Sequence, residues 1–180
     1  MNVIFLDFDG VINTSYYQSD SQIEEKIKIL SDICHMYDCK IVIEASAKDA
    51  INEETREIDK ESLWVLKIFT LFKKYNIECI GRTPNVKKKI DNNLYLDTWK
   101  EDEIILYLSR HPEIKHYCII DDDDLTDIDQ KSDLDKVRNH LIKTRYYIMD
   151  NRSAEGLQPY HIEEVGKILK LENDYQNQIK

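Results

Sequence analysis

Short apolar runs alternate along this chain with longer stretches of helical period, the pattern expected of βαβ units packed into a parallel sheet. The first run is Val3 to Leu6. The segment SQIEEKIKILSDICHMY then places Ile23, Ile27, Leu30, Ile33 and Cys34 at spacings of three and four, which gives a helix one apolar face. Ser21 with Glu24 three residues on reads as its capping box. A second strand is expected at Ile41 to Ile43, a strongly apolar helix from roughly Glu61, and a third strand ending at Gly81. The stretch from Arg82 to Trp99 has no clear period and reads as a loop or flap. EDEIILYLSR predicts a short helix, HYCII a fourth strand and KTRYYIM a fifth. PYHIEEVGKILKL closes the pattern as an amphipathic helix with Pro159 in its first turn, where a missing N–H matters little.

With 180 residues and 42% hydrophobic content, the chain can bury one sizeable core, and no linker or repeat marks a boundary. A single domain over 1–180 is expected, with its core at about 1–170 and a short tail at 171–180. The apolar stretch at the N-terminus is short, has no preceding basic residues and is cut by acids, unlike a signal peptide. No window reaches the roughly 18 apolar residues of a membrane span, so a soluble, cytoplasmic protein with no membrane partner is expected. Cys34, Cys39, Cys79 and Cys118 form no CxxC pair and read as reduced core thiols. The net charge of −10 argues against strong non-specific attraction to nucleic acid, and any such role needs a local basic patch.

The chemistry sits in the acids. Asp7, Asp9 and the run Asp121 to Asp124 all follow apolar strand-like runs. Ligands of an open parallel sheet bind beyond the carboxyl ends of its strands, so acids more than a hundred residues apart become neighbours there. Crowded carboxylates either take up protons or share a cation, and magnesium suits a site with few protein carboxylates and a substrate phosphate. Asp124, Asp127, Asp129, Asp133 and Asp135 read as a solvated loop, since the segment lacks the Gly and terminal Glu of a calcium loop. None of the five histidines has metal-ligand spacing, and each reads as a surface or half-buried structural residue. Trp64 and Trp99 read as packing residues, with a place at the border of the substrate as the alternative for Trp99 beside Lys100.

The string VIFLDFDGVIN resembles the first signature of the haloacid dehalogenase (HAD) superfamily, and its closer likeness is to the small HAD domain of Swiss Army Knife RNA repair proteins. The likeness runs from Met1 to about Leu169. It implies that Asp7 attacks phosphorus, while Asp9 protonates the leaving group and later activates water. CIIDDDD resembles the fourth signature, which implies Asp121 as a magnesium ligand and Asp122 as a ligand or an acid that orients one. The remaining metal contacts implied are Asp7 and the backbone carbonyl of Asp9.

WKEDEII resembles the R-x-x-E-I segment of these domains, with Lys100 at the arginine position and Glu103 at the acid. Lysine supplies the charge without the bidentate fork, and Lys87, Lys88 or Lys89 is the alternative phosphate-binding cation. The second signature departs from the family: where S-S-S-W-R is usual, this chain has Glu44-Ala45-Ser46-Ala47-Lys48. Ser46 still offers a hydroxyl to the phosphoryl group, but Glu44 would repel phosphate unless it points away or is paired, as with Lys48. GRTP and AEGL match two further turns of the family.

The resemblance implies a three-layer α/β Rossmann-like HAD fold, a mainly parallel sheet with helices on both faces. The gaps Ile12 to Lys40 and Arg82 to Trp99 are too short for a cap domain, so the fold is expected to be capless or to carry only a short flap. The expected function is a magnesium-dependent phosphatase working through an aspartyl-phosphate, on a phosphorylated substrate such as a nucleotide or RNA end. Two rivals stand beside it: a catalytically weakened HAD-like binding or regulatory protein, and a receiver-type phospho-acceptor.

Overall fold

The computed structural model describes residues 1–14, 18–91, 94–97, 100–125, 137–144, 146–147 and 153–178, with backbone alone at 87–91, 94–97, 146–147, 153–154 and 170–178. Strand β1 (Asn2–Leu6) lies at the centre of a five-stranded sheet with β2 (Cys39–Ile43), β3 (Cys79–Arg82), β6 (His116–Asp121) and β7 (Leu141–Lys143). The order is β3-β2-β1-β6-β7 and every pairing is parallel. From β1 the chain builds outwards to β2 and β3, then crosses back to β6 on the other side. The sheet therefore reverses its strand order between β1 and β6, the place where open α/β sheets bind ligands.

Both faces of this sheet are covered, which is why its strands read as continuous apolar runs. Alternation along the strands divides the core in two. Ile4, Leu6, Ile41, Ile43 and Ile120 face one layer of helices: α1 (Asp20–Tyr37), α2 (Leu63–Lys74) and α4 (His161–Gln178). Val3, Phe5, Val42 and Ile119 face Ile104 and Tyr107 of α3 (Lys100–Arg110). Burying one Leu, Ile or Phe side chain contributes about 1.5–3 kcal/mol, and the central strand buries four consecutive apolar residues completely. Between β3 and α3, the stretch expected as a flap forms an antiparallel hairpin, β4 (Lys87–Asp91) with β5 (Leu94–Asp97). No described helix is long and apolar enough to cross a membrane.

Three local expectations are corrected. Helix α1 is capped by Ser19 and Gln22 instead of Ser21 and Glu24: the Ser19 side chain accepts from the Gln22 N–H and the Gln22 side chain accepts from the Ser19 N–H. Both pairs satisfy the same spacing, but the earlier one also brings Asp20 into the first turn, where a carboxylate complements the helix dipole. The fifth sheet strand is Leu141–Lys143, while Tyr146–Tyr147 (β8) pairs apart from it with Ser153–Ala154 (β9). Thr144 follows the sheet strand, its N–H donating to the Asp121 carbonyl and its hydroxyl to the Gly10 carbonyl. His161 is completely buried, with its Nδ1 accepting from the Gln158 N–H at 2.8 Å. Trp64 packs on Phe8 as expected, with ring centroids 5.3 Å apart. The cysteines are free thiols, of which Cys34, Cys39 and Cys118 are buried and Cys79 is half-buried.

The turn after β1 is tied down from the C-terminal part of the chain. Val11 and Ile12 are buried, and the Leu157 N–H donates to the Val11 carbonyl at 2.9 Å. Gly156 has φ +68, and a Cβ there would stand 2.3 Å from Thr14 Cγ2 and 2.7 Å from the Val11 oxygen. Gly156→Ala is therefore expected to destabilise the fold by about 1–3 kcal/mol, read as a lower urea midpoint with an unchanged slope. A midpoint equal to the unmodified chain's would show that the turn yields freely.

Candidate active site

Asp7 directly follows β1 and Asp121 ends β6, so the two acids stand on adjacent strands at the sheet's switch point. The Asp7 N–H donates to the Ile120 carbonyl at 3.0 Å, which extends the ladder and fixes their register. Both are buried, at 4% and 0% exposure. Asp122 follows half-buried, and one carboxylate oxygen each from Asp7, Asp121 and Asp122 lies within 4.8 Å of the others. Gly10 makes this approach possible: it has φ +73, and a Cβ on it would come 2.2 Å from the Asp122 carboxyl carbon.

Lys100, the first residue of α3, brings the cation. Its Nζ lies 2.8 Å from Asp121 Oδ2 and 3.3 Å from Asp7 Oδ2. Burial, joined by the charge of Asp121 and opposed by Lys100, pushes the Asp7 carboxyl up to about 8. Asp121 and Asp122 are raised as well, chiefly by burial. Burial would pull the Lys100 ammonium down, but Asp7 and Asp121 outweigh it and hold it above the ordinary lysine range. The donor set fits a hard dication: three carboxylates converge and one lysine neutralises only part of their charge.

Asp9 is exposed and accepts a hydrogen bond from Asn13 Nδ2 at 2.8 Å. Ser46, also exposed, opens the 3-10 turn Ser46–Ala50 that follows β2. Both occupy the same end of the sheet as Asp7. The structure thus gathers Asp7, Asp121, Asp122 and Lys100 into one contact cluster, with Asp9 and Ser46 at its margin. The side chains of Lys87, Lys88 and Lys89, all of Trp99, and Asp127, Asp129, Asp133 and Asp135 lie outside the described residues.

Glu44 is buried at 1% exposure, and its carboxyl group is engaged locally. The Thr83 hydroxyl donates to Glu44 Oε2, and Lys48 Nζ lies 3.4 Å from the same oxygen. Lys48 also donates to Thr83 Oγ1 at 3.1 Å and forms an ion pair with Glu103. The other oxygen of Glu103 accepts from the Val86 N–H at 3.2 Å. Because Glu103 lies one turn beyond Lys100, this pair fixes the start of α3 and hence the lysine that reaches the acids. The sequence carries no signal of a role for Thr83 or Thr144 at the site. GRTP marks Thr83 only as part of a turn, and nothing near Thr144 signals that it bridges Asp121 and Gly10.

A parallel Rossmann-like sheet with strand-end acids and a helix-borne cation at its switch point defines the HAD class of phosphohydrolases. The chain belongs to the family described as the HAD domain in Swiss Army Knife RNA repair proteins, whose model matches residues 3–150. Neither the curated proteins nor the solved structures yield a match.

Burial is the main force raising Glu44, to about 7 from an ordinary 4.5. Between those values the folded state holds a proton that the unfolded state has released, so this residue's contribution is full below 4.5 and is lost as pH rises through 7. Glu44→Gln cannot titrate. Urea denaturation from about pH 5 to about pH 7 is expected to show a smaller fall in stability for this variant than for the unmodified chain. An identical fall in both would mean that Glu44 keeps its charge throughout.

Proposed function

We propose that this chain is a magnesium-dependent phosphatase that hydrolyses phosphate monoesters through an aspartyl-phosphate on Asp7, with nucleotide or RNA ends as the substrate class. One observation carries the reading: two buried carboxylates on neighbouring strands share a lysine ammonium, with a third acid close enough to share a cation. Membership of a family found in RNA repair proteins supports the substrate class.

Asp7, Asp121 and Asp122 would hold the metal together with the backbone carbonyl of Asp9. Magnesium, when bound, offsets the charge of these acids and of the phosphoryl oxygens. The Asp7 carboxylate attacks phosphorus in line with the leaving oxygen. Asp9, exposed and held by Asn13, gives that oxygen its proton and then takes one from the water that cleaves the acyl phosphate. Lys100 steadies the phosphoryl oxygens, and Ser46 adds a hydroxyl from the 3-10 turn. Glu44 need not repel the phosphate, because Lys48 and Thr83 already engage it; this supports turnover over the weakened-binder reading.

Asp7→Asn is expected to abolish phosphate release from a panel of esters at any magnesium concentration, with an unchanged circular dichroism spectrum, because an amide does not attack phosphorus. Chelation is expected to silence the unmodified chain in the same assay. Near-normal turnover by the Asn variant would remove Asp7 as the nucleophile.

Asp9→Asn is expected to slow hydrolysis of alkyl phosphates by about 10²–10⁴-fold, the usual contribution of general acid–base catalysis. Formation of the intermediate from an activated aryl phosphate, measured in single turnover, should suffer much less. A loss independent of the leaving group would assign Asp9 to another task.

A further inference from the structure

A second cationic site lies outside the acidic cluster. Beyond edge strand β3, Arg56, Arg82, Arg110, Tyr107 and His111 line a cavity of about 140 Å³ together with Glu53. A cavity near 150 Å³ admits a group the size of benzene. Three guanidinium groups meet here in a chain whose net charge is −10. Glu53 is the one carboxylate lining the cavity, against three guanidinium groups. Glu53 stands 3.7 Å from Arg82 and 3.6 Å from Arg110, so it is shared between them at more than hydrogen-bonding distance. Arg56 has no ion pair among the described residues.

One arginine is also held in place, and the backbone that carries another is fixed. Arg82 donates from Nε to the Ile51 carbonyl at 2.7 Å and from Nη1 to the Thr83 carbonyl at 2.9 Å, which fixes the plane of its fork. Arg56 sits at φ +61 in a turn organised by Asn52, whose side chain accepts from the Glu54 and Thr55 N–H groups at 2.9 Å. Non-glycine residues hold that conformation only where their surroundings enforce it. Arg110 ends α3, and beside it the rings of Tyr107 and His111 are stacked at 4.2 Å. Guanidinium groups beside the half-buried His111 ring, itself stacked on Tyr107, suit the phosphates and bases of a nucleotide strand.

The placement relative to the acids sets the ligand's length. Helix α3 begins at Lys100 and ends at Arg110, a rise of about 15 Å at 1.5 Å per residue. That distance corresponds to roughly four to five stacked nucleotide steps at ~3.4 Å each. We propose that the arginine cavity beside β3 is a subsite for a backbone phosphate of a polynucleotide whose terminal phosphate lies at Asp7. This assignment rests on the phosphatase reading for the reacting end, but the cavity's own affinity for a strand does not require turnover.

The test uses the full chain and the double variant Arg56→Gln, Arg110→Gln, whose sites are partly or fully exposed, with thermal melting to confirm the fold. Binding of a fluorescent 5′-phosphorylated oligonucleotide of about ten residues is followed by anisotropy against salt, at about 0.7 units of logarithmic slope per phosphate neutralised. The expected result is a dissociation constant raised at least tenfold and a slope reduced by about 0.7, the value for the one phosphate the cavity holds. In hydrolysis, the loss in kcat/KM on the oligonucleotide should exceed that on para-nitrophenyl phosphate or a nucleoside monophosphate at least fivefold. Unchanged binding and slope would overturn the subsite. An equal loss on mononucleotide and oligonucleotide would overturn it too, because the arginines would then serve the reacting phosphate. If the unmodified chain hydrolyses no ester, the phosphatase reading fails, while the anisotropy comparison still decides the subsite.

Discussion

The crowding of negative charge at the ends of β1 and β6 is the constraint on which the rest of the structure depends. Two buried carboxylates on adjacent parallel strands repel each other in a medium that screens them poorly, and the sheet cannot separate them without breaking its register. Lys100 relieves part of the strain, but only because α3 begins where it does. Lys48 and Glu103 hold that start, and Lys48 in turn is shared with Glu44 and Thr83. One buried ion-pair network thus fixes the cation of another, across β2, β3 and α3. A buried ion pair adds little net stability compared with an apolar replacement, so its value here lies in position.

Much of this was legible in the sequence. Strands buried on both faces leave unbroken apolar runs, and acids at their ends can gather only at the carboxyl edge of a parallel sheet. Asp7, Asp9 and the run Asp121 to Asp124 followed from that, whereas the choice of Asp121, Asp122 and Lys100 came from the likeness to the family's signatures. The hidden part is the part made by tertiary hydrogen bonds. Thr83 and Thr144 are common residues in unremarkable turns, and their roles arise from partners more than thirty and one hundred and thirty residues away. For Glu44 the pairing with Lys48 was legible, but the Thr83 hydroxyl and the link through Lys48 to Glu103 were not. The fifth strand was misplaced for a similar reason: Leu141 to Lys143 pair with β6, while Tyr146 and Tyr147 pair with Ser153 and Ala154 instead.

Charge in this protein is segregated by element. Acids converge at the strand ends, where a cation is needed, while guanidinium groups collect at the free side of β3. Long-range attraction of a polyanion to the molecule as a whole is weak at a net charge of −10. Selection of a phosphate-bearing ligand therefore depends on short-range geometry, which salt screens less when groups are partly buried.

The tether between Leu157 and Val11, with Gly156 pressed against the same turn, means that the acidic loop is completed by residues lying past the end of the family match at 150. A fragment cut at that boundary would retain all the acids and still lose the clamp that shapes their loop. The smallest unit able to carry the site is therefore larger than the stretch by which its kinship is detected. Excision, fusion or transplantation of this domain has to respect the hydrogen bond from Leu157 and not the border of the matched residues.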